Sequence, residues 1–163
     1  MTSETENAPA ANPDDVASID AIIKALYDVI SGGQGVRRDW NRLRSLFIPG
    51  ARLIPTATRP NGEKGVRVLD VEGYIAGAGP YLEENGFFEG EIARRTDRFG
   101  NIAHALSTYD SRHRADDPEP FSRGINSIQL LYEDNRWWVV TIFWDAEGAD
   151  KPIPEKYLQS RED

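Results

Sequence analysis

The sequence predicts an α+β fold in which three N-terminal helices pack on a curved, mainly antiparallel sheet. Two observations predict it: apolar residues recur at helical steps in the first part of the chain, and four long strand-like runs separated by short turn-like breaks fill the second. A third sets the scale, since 163 residues with 39% hydrophobic and 28% charged side chains suit about one domain with a real core.

The elements follow in order. Residues 1–12, rich in Ala, Pro, Glu and Asn, read as a disordered arm. Val16, Ile19, Ile22, Ile23, Leu26, Tyr27 and Ile30 then share one helical face, with Asp14 or Asp15 as the cap and Gly32-Gly33 as the stop. Asp39 caps a shorter helix carrying Trp40, Leu43 and Phe47, which Pro49-Gly50 ends. Residues 51–58 read as a strand, Arg59-Pro60-Asn61-Gly62 as a turn and Val66–Leu69 as a short return strand. Asp70 opens a third helix with Val71, Tyr74, Ile75 and Leu82, its middle made irregular by Gly77, Gly79 and Pro80. The runs 87–98, 101–114, 121–133 and 136–144 are joined closely enough to be antiparallel hairpins. The domain therefore spans 13–145, and 146–163 reads as an extended tail anchored by Tyr157 and Leu158.

Composition removes several classes of function. Acidic residues outnumber basic ones 27 to 19, for a net charge of −8, which argues against nucleic acid as a partner. The basic group Arg94, Arg95 and Arg98 is neutralised by Glu89, Glu91 and Asp97. Zero cysteines exclude disulfides, thiolate nucleophiles and cysteine zinc sites, and fit a reducing compartment. The polar, acidic start is no signal peptide, and no run approaches the roughly 18 apolar residues that cross a bilayer, so a cytoplasmic protein without a membrane partner is expected. Two histidines without HExxH make a metal site unexpected, and no GxGxxG, P-loop or GxSxG motif points to a cofactor or a nucleophile elbow. No cofactor is expected. The run Trp137–Trp144 is apolar at nearly every position, so both of its faces need cover; a second copy on the outer face of 121–133 and 136–144 is the simplest, and a homodimer is expected.

The stretches GNIAHALSTYDSR and FSRGINSIQLLYEDNRWWVVTIFW, in this order of elements, resemble the nuclear transport factor 2-like superfamily, closest to its SnoaL-like and ketosteroid-isomerase-like branches. The resemblance covers about Val16 to Asp145 and implies a cone-shaped half-barrel with a deep pocket between helices and concave sheet. It makes Tyr27 the counterpart of an oxyanion-donating tyrosine and Asn126 that of a second donor, while the base position offers Arg52 and Ile54. The histidine pair of the dehydratase branch would have to be His104 and His113, nine residues apart and so on opposite strand faces. The arginine between two aspartates of the epoxide-hydrolase branch would have to be Asp110, Arg123 and Asp145.

These readings leave a short set of candidates. Asp110 reads first as a rim carboxylate paired with a neighbouring arginine and second as a pocket base; the same pair of readings holds for Asp145. His104 reads first as a hydrogen-bonded structural histidine and second as a ligand contact. Tyr27, Asn126 and Trp144 are expected to line the cavity. The function expected is binding of a small hydrophobic molecule in a mostly apolar pocket. The alternative is a cofactor-free lyase, isomerase or hydrolase that uses Asp110 or Asp145 as its catalytic carboxylate.

Overall fold

Helix-capping side chains and a few glycines at left-handed positions divide the chain into its elements. The computed structural model describes residues 9–57, 61–63 and 65–162, so most of the arm and the start of the expected 59–62 turn lie outside the described residues. The first helical face is split in two, α1 (Pro13–Val16) and α2 (Ile19–Ile30). Asn12 caps α1 by accepting from the amide of Asp14, and Ser18 caps α2 by accepting from that of Ala21. A serine side chain that satisfies a free amide starts a new helix, so the single helix capped at Asp14 or Asp15 is corrected. Ala11 packs against the core, which shows that the end of the expected arm is part of the body.

Helix α3 (Trp40–Ser45) is capped by Asp39, and β1 (Phe47–Pro55) begins at once. The expected stop at Pro49-Gly50 instead falls in a register shift of β1 between Phe47 and Arg52, where Gly50 has a φ of 77°. The expected return strand at 66–69 runs back along β1, with the amides of Gly65, Arg67 and Leu69 donating to the carbonyls of Ala57, Pro55 and Leu53, and Leu53 and Leu69 forming a full bridge. Helix α4 (Val71–Asn85) starts at the Asp70 cap and runs unbroken through Pro80. Gly79 lets the Trp40 ring press on it, since a Cβ there would lie 3.2 Å from the indole.

Four long strands follow: β2 (Phe88–Phe99), β3 (Ile102–Arg112), β4 (Ser122–Glu133) and β5 (Arg136–Ala146). With β1 and a short β6 (Arg161–Glu162) they form one sheet in the order β1-β5-β4-β3-β2-β6. The four long strands pair antiparallel in sequence, while β1 joins β5 and β6 joins β2 in parallel. The core lies between the helices and the concave face, with Ile22, Ile23, Leu43, Leu46, Ile128, Leu130 and Val139 fully buried. The residues after β5 do not simply trail away. The Tyr157 carbonyl accepts from Thr108 Oγ1 (2.6 Å), Lys156 O accepts from Arg95, and Ser160 Oγ accepts from the amide of Arg94, so this segment lies along the outer side of β2 and β3. Among the described residues no helix is long and apolar enough to cross a membrane.

Candidate functional site

Strand alternation decides which side chains face the helices. On β3 these are Ala103, Ala105, Ser107, Tyr109 and Ser111; on β4 they are Gly124, Asn126, Ile128 and Leu130. A register shift between Gln129 and Leu130 opposite β5 leaves Trp137, Val139, Ile142, Trp144 and Ala146 on the inner face. Near the end where Trp144 and Tyr109 stand, the packing opens into a cavity of about 320 Å³. Its walls are apolar and aromatic: Leu26, Ile30 and Tyr27 from α2, Tyr74 and Ala78 from α4, Phe47 and Leu53 from β1, and Trp144 and Ile142 from β5. The Tyr74 and Trp144 rings meet edge to face at 6.1 Å. Phe87 and Phe121 meet the same way at the other end, and Phe121, 49% exposed, marks the opening. Tyr109 lies over Gly124, where a Cβ would fall 2.4 Å from the phenol oxygen; only glycine leaves room for that ring.

Glu89 is the single charged side chain among the described residues that line this cavity. It stands near the start of β2 and accepts a hydrogen bond from Asn126 Nδ2 at 3.2 Å. Among the described residues no lysine or arginine pairs with it, and its other oxygen accepts no hydrogen bond. Burial pushes the carboxyl up to about 7; the Asn126 amide pulls the other way, and the nearby Asp110 charge adds to the rise. Burial, and then the charge of Glu89, raise the phenols of Tyr27, Tyr74 and Tyr109 well above the ordinary tyrosine range.

Asn126 also begins a directed chain. Its Nδ2 donates to the Tyr27 hydroxyl at 3.1 Å, and Tyr27 Oη and Ser107 Oγ lie 2.6 Å apart. Ser107 donates to the Glu91 carboxylate, so its oxygen receives the Tyr27 proton. Arg94 holds Glu91 and reaches Asp20 at the start of α2. Two consequences follow. The Asn126 amide is fixed with its NH₂ toward Glu89, and the Tyr27 proton points away from the cavity, so the oxyanion-donor role implied by resemblance does not match this arrangement. The hydroxyls left for a ligand are those of Tyr74 and Tyr109.

Tyr27, Asn126 and Trp144 line the cavity, whereas the other three candidates stand elsewhere. Asp110 lies between two inward residues, so it points outward and pairs with Arg112 at 2.9 Å. Asp145, between Trp144 and Ala146, is likewise outward, half exposed, and bound to Lys151 at 2.6 Å. The expectation that one of them supplies the cavity carboxylate is corrected by this alternation; Glu89 supplies it. Arg123 pairs with Glu147, so Asp110, Arg123 and Asp145 form three separate pairs. His104 bonds Ser127 at 2.8 Å on the outer face, and His113 stacks on Phe121 with centroids 4.0 Å apart. At the isomerase base position the inward residue is Leu53, between Arg52 and Ile54. Among the described residues no three His, Asp or Glu side chains converge to hold a metal ion.

No protein-family model matches the chain, and neither does any curated protein. Solved structures do. An NTF-2 like protein of unknown function from Silicibacter pomeroyi is 17% identical, with a TM-score of 0.55 over 90% of this chain and 99% of that one. The Kfla4162 protein from Kribbella flavida is 11% identical, with a TM-score of 0.60 over 81% of this chain and 90% of that one. A candidate ketosteroid isomerase from Shewanella frigidimarina is 14% identical, with a TM-score of 0.52 over 83% of this chain and 99% of that one. At such identities the likeness concerns the fold: this chain has the NTF2-like α+β cone.

Proposed function

We propose that the cavity binds a small, mostly apolar molecule and turns its polar end toward Glu89 and Asn126. The observation that carries this reading is the wall: aromatic and aliphatic almost throughout, with one carboxylate that has an open oxygen. The test is thermal unfolding with a panel of apolar ring compounds, because a ligand at a hundred times its dissociation constant adds about 2.7 kcal/mol of stability. Active compounds should lose their effect in Ala78→Phe, which fills the cavity from α4; shifts that survive that change would overturn the reading.

A second reading, favoured by the carboxyl held near neutrality, is cofactor-free proton transfer by Glu89 in a lyase, isomerase or hydrolase. It requires Glu89→Gln to abolish turnover of a bound substrate while its affinity is kept; an active variant overturns it. Absence of cysteine from the sequence supports a reducing compartment such as the cytoplasm as the setting for either.

A further inference from the structure

We infer that the polar end this cavity is built to take is an ammonium group: a small amine on an apolar, ring-bearing body, its nitrogen donating to the open oxygen of Glu89. The inference rests on the binding reading above and adds the ligand's chemical class.

Charge on every side of Glu89 points the same way. Tyr27 of α2, Tyr74 of α4, Tyr109 of β3 and Asn126 of β4 face it; Glu91 stands two residues along β2, Asp110 of β3 points outward although its charge still reaches Glu89, and Asp145 of β5 acts on Tyr109. Each of these is neutral or acidic. The basic groups nearby are already engaged, Arg94 by Glu91 and Asp20, Arg112 by Asp110, and Arg123 by Glu147. A carboxylate in such a place is costly unless a cation meets it, and the chain supplies none among the described residues. A cationic ligand would replace the missing partner, whereas an anion would be repelled by Glu89.

The rest of the wall suits the same guest. Aromatic rings attract a cation through their faces and pack against its apolar body. Tyr74, Tyr109 and Trp144 line the same cavity as Glu89, and the charge of Glu89 acts on the phenols of Tyr74 and Tyr109. The hydroxyls of Tyr74 and Tyr109 can accept from the nitrogen's remaining protons. Tyr27 and Asn126 are committed to the chain that ends at Glu91, so they hold Glu89 in place and leave its free oxygen to the guest. The net charge of −8 favours the approach of cations over anions.

The experiment compares phenethylamine and 1-aminoadamantane with their neutral counterparts, 2-phenylethanol and 1-adamantanol, by calorimetric titration of the full chain. Both amines stay protonated near neutral pH, as a lysine does, so their pH dependence reports the protein. Glu89 ionises across this range, so amine affinity should rise about tenfold between roughly pH 6 and pH 8. The alcohols should show no such rise. Glu89→Gln, whose fold is checked by circular dichroism, should lose the preference for amines and keep the alcohols. Alcohols that bind as well as the amines at the higher pH overturn the amine and leave the cavity reading standing. Amine binding that is flat with pH, or unchanged in Glu89→Gln, also overturns it. If neither class binds, both readings fall.

Discussion

Free in an unfolded chain, the Glu89 carboxyl would titrate near 4.5; folding moves it to about 7. Between those values the folded protein keeps a proton that the unfolded chain releases. The contribution of this group to stability is therefore complete below about pH 4.5 and is lost as pH rises through about 7. Each pH unit of difference is worth about 1.4 kcal/mol, and the incomplete burial of Glu89 lowers the sum, so the loss is about 2–3 kcal/mol. Glu89→Gln keeps the shape and removes the charge. It should raise the melting temperature by several degrees at pH 8 and change it little at pH 4.5, measured by calorimetry without ligand. Equal shifts at both pH values would show that Glu89 is ionised without cost. The sequence places this residue with Glu91 and Asp97 among the acids that neutralise Arg94 and Arg95; in the structure Glu91 pairs with Arg94, and Glu89 faces the cavity instead. Strict alternation from Glu91 would turn Arg94 away from it. A register shift in β2 between Glu91 and Ala93 instead puts Glu89, Glu91 and Arg94 on one face. A bulge leaves no mark in periodicity, so the carboxylate of the site was hidden.

At the scale of elements, what was legible came from periodicity and punctuation. The helical stripe of α2, the Asp39 and Asp70 caps and the hairpins among the four long strands all carry such marks. Boundaries failed where a side chain or a long-range pairing overrode local preference. Ser18 is a clear case, a polar residue inside an apolar stripe that reads as a solvent-facing position and is in fact a cap. Ser18→Ala should cost about 1 kcal/mol in chemical denaturation at an unchanged denaturant slope, and Ser18→Asp should recover most of it. No loss in Ser18→Ala would mean that the α1–α2 break is held by packing of Val16 and Ile19 alone. Phe47 is the other case. It belongs to the helical face by spacing, yet it pairs with Val139 as the first residue of β1, a contact ninety-two positions away that no local pattern announces.

At the scale of the molecule, the expectation of a second layer over the sheet meets a divided surface. The segment after β5 lies along β2 and β3, through Thr108, Arg94 and Arg95 and the pairing of β6 with β2. It covers β2 and β3, whereas the sequence assigned a partner to 121–133 and 136–144. The β4–β5 side has no such cover among the described residues. There Phe143 is 43% exposed beside Ser127, with Ile125 and Leu106 half buried on the same outward rows. An aromatic side chain left open in the middle of a sheet face, where edge exposure cannot explain it, is the remaining ground for a homodimer, which we propose on this half of the face. Because the C-terminal segment already occupies the other half, the contact should be modest in area and its dimer concentration-dependent. Sedimentation equilibrium at micromolar concentration should then show a monomer–dimer equilibrium above the 18.3 kDa chain mass, and Phe143→Lys should shift it to monomer without lowering the melting temperature of the monomer. A single species of one chain mass at every concentration would end the proposal. The open phenylalanine would then belong to a monomer whose outer layer is its own C-terminal segment.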